Sequence, residues 1–520
     1  MTPDTAWGCF TADGPWELPP HPIYEQNAEQ TVSSVRRDAQ TLRTPRRIPP
    51  FRALPVAVVL GSAIAPYFVE KRFNKTRAQE RLSIRLRRAA TRLGPAYVKL
   101  AQIIASGEGL FPDVLVKECA LLRDRAPFEK WDAVREVIET ELGGPLTSVF
   151  ASFSEQPIAA ASIAQVHAAV LHDGTEVVVK VQRPRARSQV RRDVAALAWL
   201  APLMVGRLNV AALANPPALV AVFADTILEE LDFTLEAASM MEVARVLKSG
   251  RHPGVVVVPR PHPSLVSERV LVMEHLHGVP LTSAHDVAAH VSDGASVIRT
   301  LAGTLLEGAL IHGAFHGDLH PGNLMVLEDQ SVALLDFGIV ERFSDAERRA
   351  FLSLVLHGLT GNWRGQVEAL QTLGAVPRDA DVELLGAELG LDGPPPDPTT
   401  MAPAQFTEEM QRLAKTLLAS GASLPRALML WGKNLVLLDQ SVAVLDPSWD
   451  LVVEIQSLFQ GFATAWGTEI QQLFGEHVEV SLSGVAASLA LPPGTESMTW
   501  EQMRARRALI ATRLGNQPGT

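Results

Sequence analysis

The feature that most constrains this 520-residue chain is a short polar block, His316-Gly317-Asp318-Leu319-His320-Pro321-Gly322-Asn323, followed by Asp336-Phe337-Gly338. Pro321 stops a helix and the glycines loosen the backbone, so the block must be loop. Between Asn323 and Asp336 lie two short apolar runs, residues 324–327 and 332–335, which read as a strand pair. An acid and an amide in a loop, a strand pair, and a second acid form the layout of a phosphoryl-transfer site. The residue types suit that chemistry. Asp336, a hard carboxylate, bridges Mg²⁺ to phosphates, and Asn323 offers a neutral oxygen to a second ion position. Asp318 accepts a proton from a hydroxyl or orients a water. The block also sets two imidazoles, His316 and His320, around a carboxylate. That pattern suggests zinc, but Pro321 breaks the helix such a pair needs.

Upstream, Lys180 stands in the run Glu176-Val177-Val178-Val179-Lys180-Val181 after a turn at His172-Asp173-Gly174. A lysine in an apolar strand is costly unless paired. Glu230, Asp232 and Glu236 are the available acids, on a segment whose pattern predicts a helix over residues 217–248. Positions 232 and 236 share a helix face, and spacing leaves open which acid holds Lys180. The small-residue run Ala159, Ala160, Ala161 and Ser162 opens the preceding hairpin. Small side chains there let backbone N–H groups approach phosphates. Residues Met273, Glu274, His275 and Leu276 end an apolar strand before Gly278 and are placed to present backbone groups to an adenine edge.

Composition sets the wider limits. The chain is 47% apolar and 20% charged, ordinary for a globular protein, and its length suggests two to four units. Two cysteines exclude a disulfide scaffold or a cysteine-based zinc cluster. A net charge of −10 gives no reason to expect a nucleic-acid partner. The charge is uneven: residues 34–92 carry 15 Lys and Arg against 3 Asp and Glu. This basic stretch brackets the apolar run at residues 55–69, which has two prolines and falls short of the ~20 residues of a spanning helix. It reads as a buried helix or hairpin, as a segment lying on an anionic membrane surface, or, least well for its length, as a transmembrane span. No signal peptide is evident, so the expected location is cytoplasmic, peripheral to a membrane at most. Proline-rich residues 1–50 read as an irregular arm. From residue 77 to 106 the period is helical, with a break at Gly94-Pro95.

The order hairpin, lysine, helix acid, linker, HGD…N, DFG resembles the protein-kinase-like superfamily. A fifth segment, Lys99-Leu100-Ala101-Gln102 on an upstream helix, resembles the KxGQ motif of the UbiB family of atypical kinases (the ADCK/AarF type), with Ala101 where that family usually has Gly. Ala159–Ser162 in sequence resembles its Ala-rich loop, and Glu230-Leu231-Asp232 its ExD motif. The resemblance implies an α+β, two-lobed protein-kinase-like fold with an N-terminal helical KxGQ extension and a mainly helical C-lobe. It divides the chain into an arm (1–50), a basic and helical extension (51–150), an N-lobe (151–277), a C-lobe (278–475) and a tail (476–520). It implies ATP and Mg²⁺ as cofactors, with Asp318, Lys180, Lys99 and Gln102 catalytic and Asn323 and Asp336 on metal. Slow ATP hydrolysis or phosphorylation of a non-protein substrate is expected, in support of isoprenoid-quinone or other lipid metabolism. The sequence runs from Gly338 almost directly into an expected helix near Ser344, leaving no long activation segment for a peptide. Two other readings remain: a small-molecule phosphotransferase of the aminoglycoside or choline kinase type, and a silent lipid-binding scaffold. Oligomeric state is not encoded legibly.

Overall fold

The computed structural model describes residues 9–11, 14–19, 22–43, 52–105, 111–122, 128–205, 216–250, 255–282, 284–360 and 362–391, with scattered positions between 417 and 508. Helices α1 (Ile23–Gln26), α2 (Ala28–Arg43), α3 (Ala53–Glu70), α4 (Lys75–Leu93), α5 (Pro95–Ala105), α6 (Asp113–Ala120) and α7 (Trp131–Leu142) come first. Strands β1 (Phe150–Phe153), β2 (Ala159–Ala160), β3 (Ala164–Leu171) and β4 (Glu176–Gln182) follow, then α8 (Ala186–Met204), α9 (Pro216–Glu229) and α10 (Phe233–Ser249). Next come β5 (Val256–Val257), β6 (Pro261–Val266), β7 (Val270–Glu274), β8 (Gly278–Pro280), α11 (Ala284–His290) and α12 (Gly294–Glu307). The described elements end with β9 (Ala314–His316), β10 (Leu324–Leu327), β11 (Val332–Leu334), β12 (Val340–Arg342), α13 (Asp345–Thr360), α14 (Trp363–Thr372) and α15 (Val382–Leu389).

Two compact units result, and neither is contiguous in sequence. The first takes Met1–Leu203, Val220–Ser292 and Asp318–Val340; the second takes Met204–Leu219, Asp293–Gly317 and Glu341–Thr520. The first holds a sheet in the order β1-β3-β4-β7-β6, with β2 on β3, and a four-stranded sheet β5-β11-β10-β8. The second is mostly helical where described, with a core that includes Val367, Leu370, Leu385 and Leu389.

The larger sheet explains the position of Lys180. Gly174 has φ +88°, which only glycine adopts cheaply, and Asp173 Oδ1 accepts from the Thr175 N–H at 2.9 Å, closing the β3–β4 hairpin. The register pairs Val166 with Lys180 and Lys180 with Leu271. Side chains alternate faces along a strand. Val177, Val179 and Val181 therefore join Val270 and Val272 in the core beneath Val134, Val137 and Ile138 of α7. Lys180 points to the opposite face.

Residues 28–43 correct the irregular arm. They form a 16-residue amphipathic helix. The prolines of this region fall outside residues 23–44, and the stretch between them is free to hydrogen-bond. Its charges meet opposite charges far along the chain: Arg36 with Glu229 at 3.3 Å, Arg43 with Asp225 at 3.2 Å, and Asp38 with Arg191. Part of the basic stretch is thus structural.

The apolar run is longer than its prolines suggested. Pro55 lies in the first turn of α3, where its missing N–H costs nothing, and the 18-residue helix continues through Pro66. Ala53, Val56, Ala63 and Tyr67 are buried, and Tyr67 packs with Ala78 and Leu82 of α4. Arg85 locks the hairpin by donating to Ala63 O and to both Glu70 carboxylate oxygens. The other face, with Leu54, Val58 and Val69, is exposed, as is Phe73 (86%). This is neither a buried helix nor a hairpin of the run itself. It is one of two described helices long and apolar enough to cross a membrane; 22% of it is buried, against 61% of Gly294–His312.

Gly94 (φ +110°) ends α4 and Pro95 starts α5, as the sequence pattern required. Ser344 opens α13 with a capping box: its N–H and hydroxyl donate to Glu347 at 2.9 and 2.7 Å. Only β12 separates Gly338 from that cap. The proline-rich segment 393–398 lies outside the described residues.

Candidate active site

Every candidate site residue belongs to the first unit. Lys180 is 8% exposed, and its Nζ donates to Glu236 Oε1 at 2.6 Å and to Asp336 Oδ1 at 3.2 Å. The Phe233 ring lies 5.4 Å away. This answers the question the spacing left open: Glu236 is the helix partner of Lys180. Glu230 serves another lysine. Lys99 Nζ meets Glu230 Oε1 at 2.7 Å, joining α5 to the chain just past α9.

The helix expected over residues 217–248 is in fact two. α9 ends at Glu229 and α10 begins at Phe233, with Asp232 as N-cap. Asp232 Oδ1 accepts from the Thr234 N–H at 3.0 Å and its hydroxyl at 2.6 Å. An aspartate is among the strongest N-caps, so Glu-Leu-Asp is a helix break as much as an acidic patch. Glu230, in the break, meets Lys99, and Glu236, in the first turn of α10, meets Lys180. Asp232 is occupied as a cap.

The electrostatics form one coupled cluster. Burial would lower the Lys180 pKa, but the Asp336 and Glu236 carboxylates reverse this and hold it above its usual value. Lys99 behaves alike: burial is outweighed by Glu230, Asp318 and Asp336. Burial pushes Glu236 up to about 7 against the pull of Lys180. Burial also raises Glu230, with Lys99 opposing. Asp336 goes the other way: burial resists, yet the Lys180 and Lys99 charges hold its carboxyl well below the usual range. Its side chain is 45% exposed, against 4% for Glu236 and 6% for Glu230. Asp336 Oδ1 also accepts from the Gly338 N–H at 3.0 Å, which fixes its rotamer.

Asn323 ends a 3₁₀ turn, Pro321–Asn323, and its Nδ2 donates to Asp318 O at 3.0 Å. That bond orients the amide and ties the two loop residues together. His320 Nδ1 accepts from the Gly322 N–H at 3.0 Å, a loop-bracing role. His316 and His320 do not belong to any convergent group of three potential metal ligands among the described residues.

The small-residue run makes a tight hairpin. Ala159 pairs with Val166 and Ala160 with Gln165, and the Ala161 N–H donates to Ala164 O at 2.9 Å. Sequence reading missed its brace, Arg183, which donates to Ala161 O at 3.1 Å and pairs with Glu129 at 2.9 Å. The Gln-Arg-Pro ending of the lysine strand was the only signal. Met273 and Glu274 end β7, and His275 and Leu276 follow. Glu274 is buried, and its carboxylate accepts from Thr11 and from the Arg260 N–H, so this side chain anchors the N-terminal segment. Gln102 lies on α5, one turn from Lys99.

Comparison with known proteins gives the family. Residues 121–370 match the ABC1 atypical kinase-like domain. An uncharacterized protein of Mycobacterium tuberculosis (strain H37Rv) is 34% identical over 405 residues, covering 75% of this chain and 79% of that protein. An uncharacterized aarF domain-containing protein kinase of Arabidopsis thaliana, chloroplastic, is 31% identical over 391 residues (71% and 72%). A probable protein kinase UbiB of Cellvibrio japonicus is 30% identical over 372 residues (71% and 67%). The fold is α+β and protein-kinase-like, and the chain belongs to the UbiB family of ABC1-type atypical kinases.

Proposed function

We propose that this protein binds Mg²⁺-ATP and hydrolyses it, or passes its γ-phosphoryl to a non-protein substrate, in support of quinone or other lipid metabolism at the cytoplasmic side of a membrane. The observation that carries the reading is Lys180, buried and charged between Glu236 and Asp336. A cation so held meets phosphate oxygens without rearrangement of its strand. The donor set also suits a hard dication. Asp336 is an open, ionised carboxylate, and Asn323, its amide nitrogen engaged, turns its oxygen to the ligand role. When bound, Mg²⁺ supplies charge neutralisation at the phosphates. The residues of the chain do the rest. Lys180 holds the α- and β-phosphates, Asp318 orients the attacking hydroxyl or water by accepting its proton, and the Ala159-to-Ser162 hairpin covers the phosphates. Residues 273–276 offer backbone groups to the adenine, and Lys99 and Gln102 close the site from α5. With no activation segment between Gly338 and Ser344, a peptide has no platform.

Lys180→Ala tests the assignment. The wild type should show a Mg²⁺-ATP-dependent rise in Tm, and the variant should lose it while keeping its circular dichroism spectrum. An equal rise in both would move the nucleotide elsewhere. ATP-dependent phosphorylation of small alcohols would instead favour the phosphotransferase reading.

The membrane part rests on α3. Leu54, Val58 and Val69 form an exposed apolar stripe at helical spacing, with Phe73 just beyond it. Lys71, Arg72, Lys75 and Arg77 follow directly. Each basic group near an anionic surface contributes roughly 1 kcal/mol. Replacing Leu54, Val58 and Val69 together by Glu should abolish salt-sensitive binding to anionic liposomes in a flotation assay; unchanged flotation would refute this part.

A further inference from the structure

We propose that Glu176, His275 and His277 form a binding site for a transition-metal dication of the Zn²⁺ type, separate from the Mg²⁺ position of the phosphoryl-transfer site. Strand geometry builds the cluster. The β4–β7 register pairs Val177 with Glu274, so Glu176 at the start of β4 falls beside the chain leaving β7 at His275. His275 and His277 are two apart in extended chain and share a face. Their rings lie 4.4 Å apart between centroids, and His277 Nε2 is 3.0 Å from Glu176 Oε2. One ligand atom from each of the three lies within 4.8 Å of the others. Ligands of tetrahedral zinc at 2.0–2.1 Å from the metal stand about 3.3 Å apart. The His277–Glu176 edge, at 3.0 Å, is already close to that distance, and the third ligand atom stands within 4.8 Å of both.

Chemistry selects the metal. Two imidazoles and one carboxylate are a zinc, cobalt or nickel set, whereas Mg²⁺ takes oxygen ligands. Three protein ligands leave a fourth position for water or an outside ligand. Glu176 and His277 are exposed, so the ion enters from solvent, and His275 is half-buried, which fixes the site to the strand end. Among the described residues this is the one convergent group of three His, Cys, Asp or Glu side chains. Occupancy would clamp β4 to the segment after β7. Any effect of that clamp on nucleotide affinity rests on the function proposed above; metal binding itself does not.

The test uses the full-length chain, stripped with chelator and kept free of nucleotide. Co²⁺ is titrated while the visible absorption of the four-coordinate ion is followed, and Zn²⁺ is then added as competitor. Wild type should take up one more equivalent of Co²⁺ than the double variant His275→Ala/His277→Ala, and Zn²⁺ should displace it. Changes in the outer shell of metal sites already cost about 10–100-fold in affinity, so His277→Ala or Glu176→Gln should weaken binding at least tenfold. Because these two positions are exposed, the folded spectrum should persist, which separates ligand loss from unfolding. Uptake equal in wild type and double variant, or none by the wild type at millimolar Co²⁺ and Zn²⁺, overturns the proposal, since the chain has 12 other histidines able to bind adventitiously.

Discussion

Asp336→Asn should lower ATP turnover on the order of 10²-fold or more while leaving the protein folded. The asymmetry follows from the electrostatics. Asp336 is far more exposed than Glu230 or Glu236, and Lys180 and Lys99 hold it ionised, the state that would ligate a dication. Asn keeps the shape and can still accept from the Gly338 N–H, as Oδ1 does in the structure. Lys180 retains Glu236 at 2.6 Å, so the strand lysine is not left unpaired. Stability should therefore change little, and Tm is the internal control. The measurement is a steady-state ATPase assay at saturating Mg²⁺. Turnover within about threefold of wild type would remove Asp336 from the chemistry and, with it, the present reading of the site.

The loops that carry the chemistry were legible because chemistry fixes their residues as well as their backbone. Asp318, Asn323 and Asp336 sit in sequence where proline, glycine and strand signals already mark loop. Lys180 was legible because a lysine in a run of valines demands a partner. The identity of that partner was not, since it depends on a helix break. Asp232 as N-cap splits what reads as one helix, and its side chain says cap or ligand equally well. Long-range pairing was also hidden. β5 lies parallel to β11 although 75 residues separate them, and no local period encodes that contact. Helix α2 is masked by composition, because its proline-free stretch between Pro22 and Pro45 lies inside a proline-rich segment. Helix α3 was undersized because prolines were counted without their place in the turn. In each case the missing information is positional or tertiary.

Lys99→Met should destabilise the protein by about 3–5 kcal/mol at alkaline pH and by much less at pH 5. Lys99 and Glu230 form a pair at 2.7 Å with side-chain exposures of only 16% and 6%. Removing the cation leaves a buried carboxylate whose pKa burial already raises and which only Lys99 pulls back. Without Lys99 the folded-state pKa of Glu230 lies well above its unfolded value near 4.5. The folded state then binds the proton more tightly than the unfolded chain, so the variant loses stability as pH rises from the unfolded toward the folded pKa. Below that window the carboxyl is neutral in both states and little is lost. Wild type, in which Lys99 opposes the burial of Glu230, should show a shallower decline, to which the raised Glu236 also contributes. Adding Glu230→Gln to Lys99→Met removes that titrating group and should return the slope to that of wild type or less and recover most of the loss. Chemical denaturation across pH 5–8.5 reads all three proteins. A pH-independent deficit in Lys99→Met, unrelieved by the second change, would mean that α5 is held by packing and not by this pair. The same proteins address function: if the pair sets the position of α5 over the site, the double variant must differ from wild type in ATP turnover or in its preference between ATP and ADP. A stable double variant with unchanged kinetics would leave Lys99 a purely structural anchor.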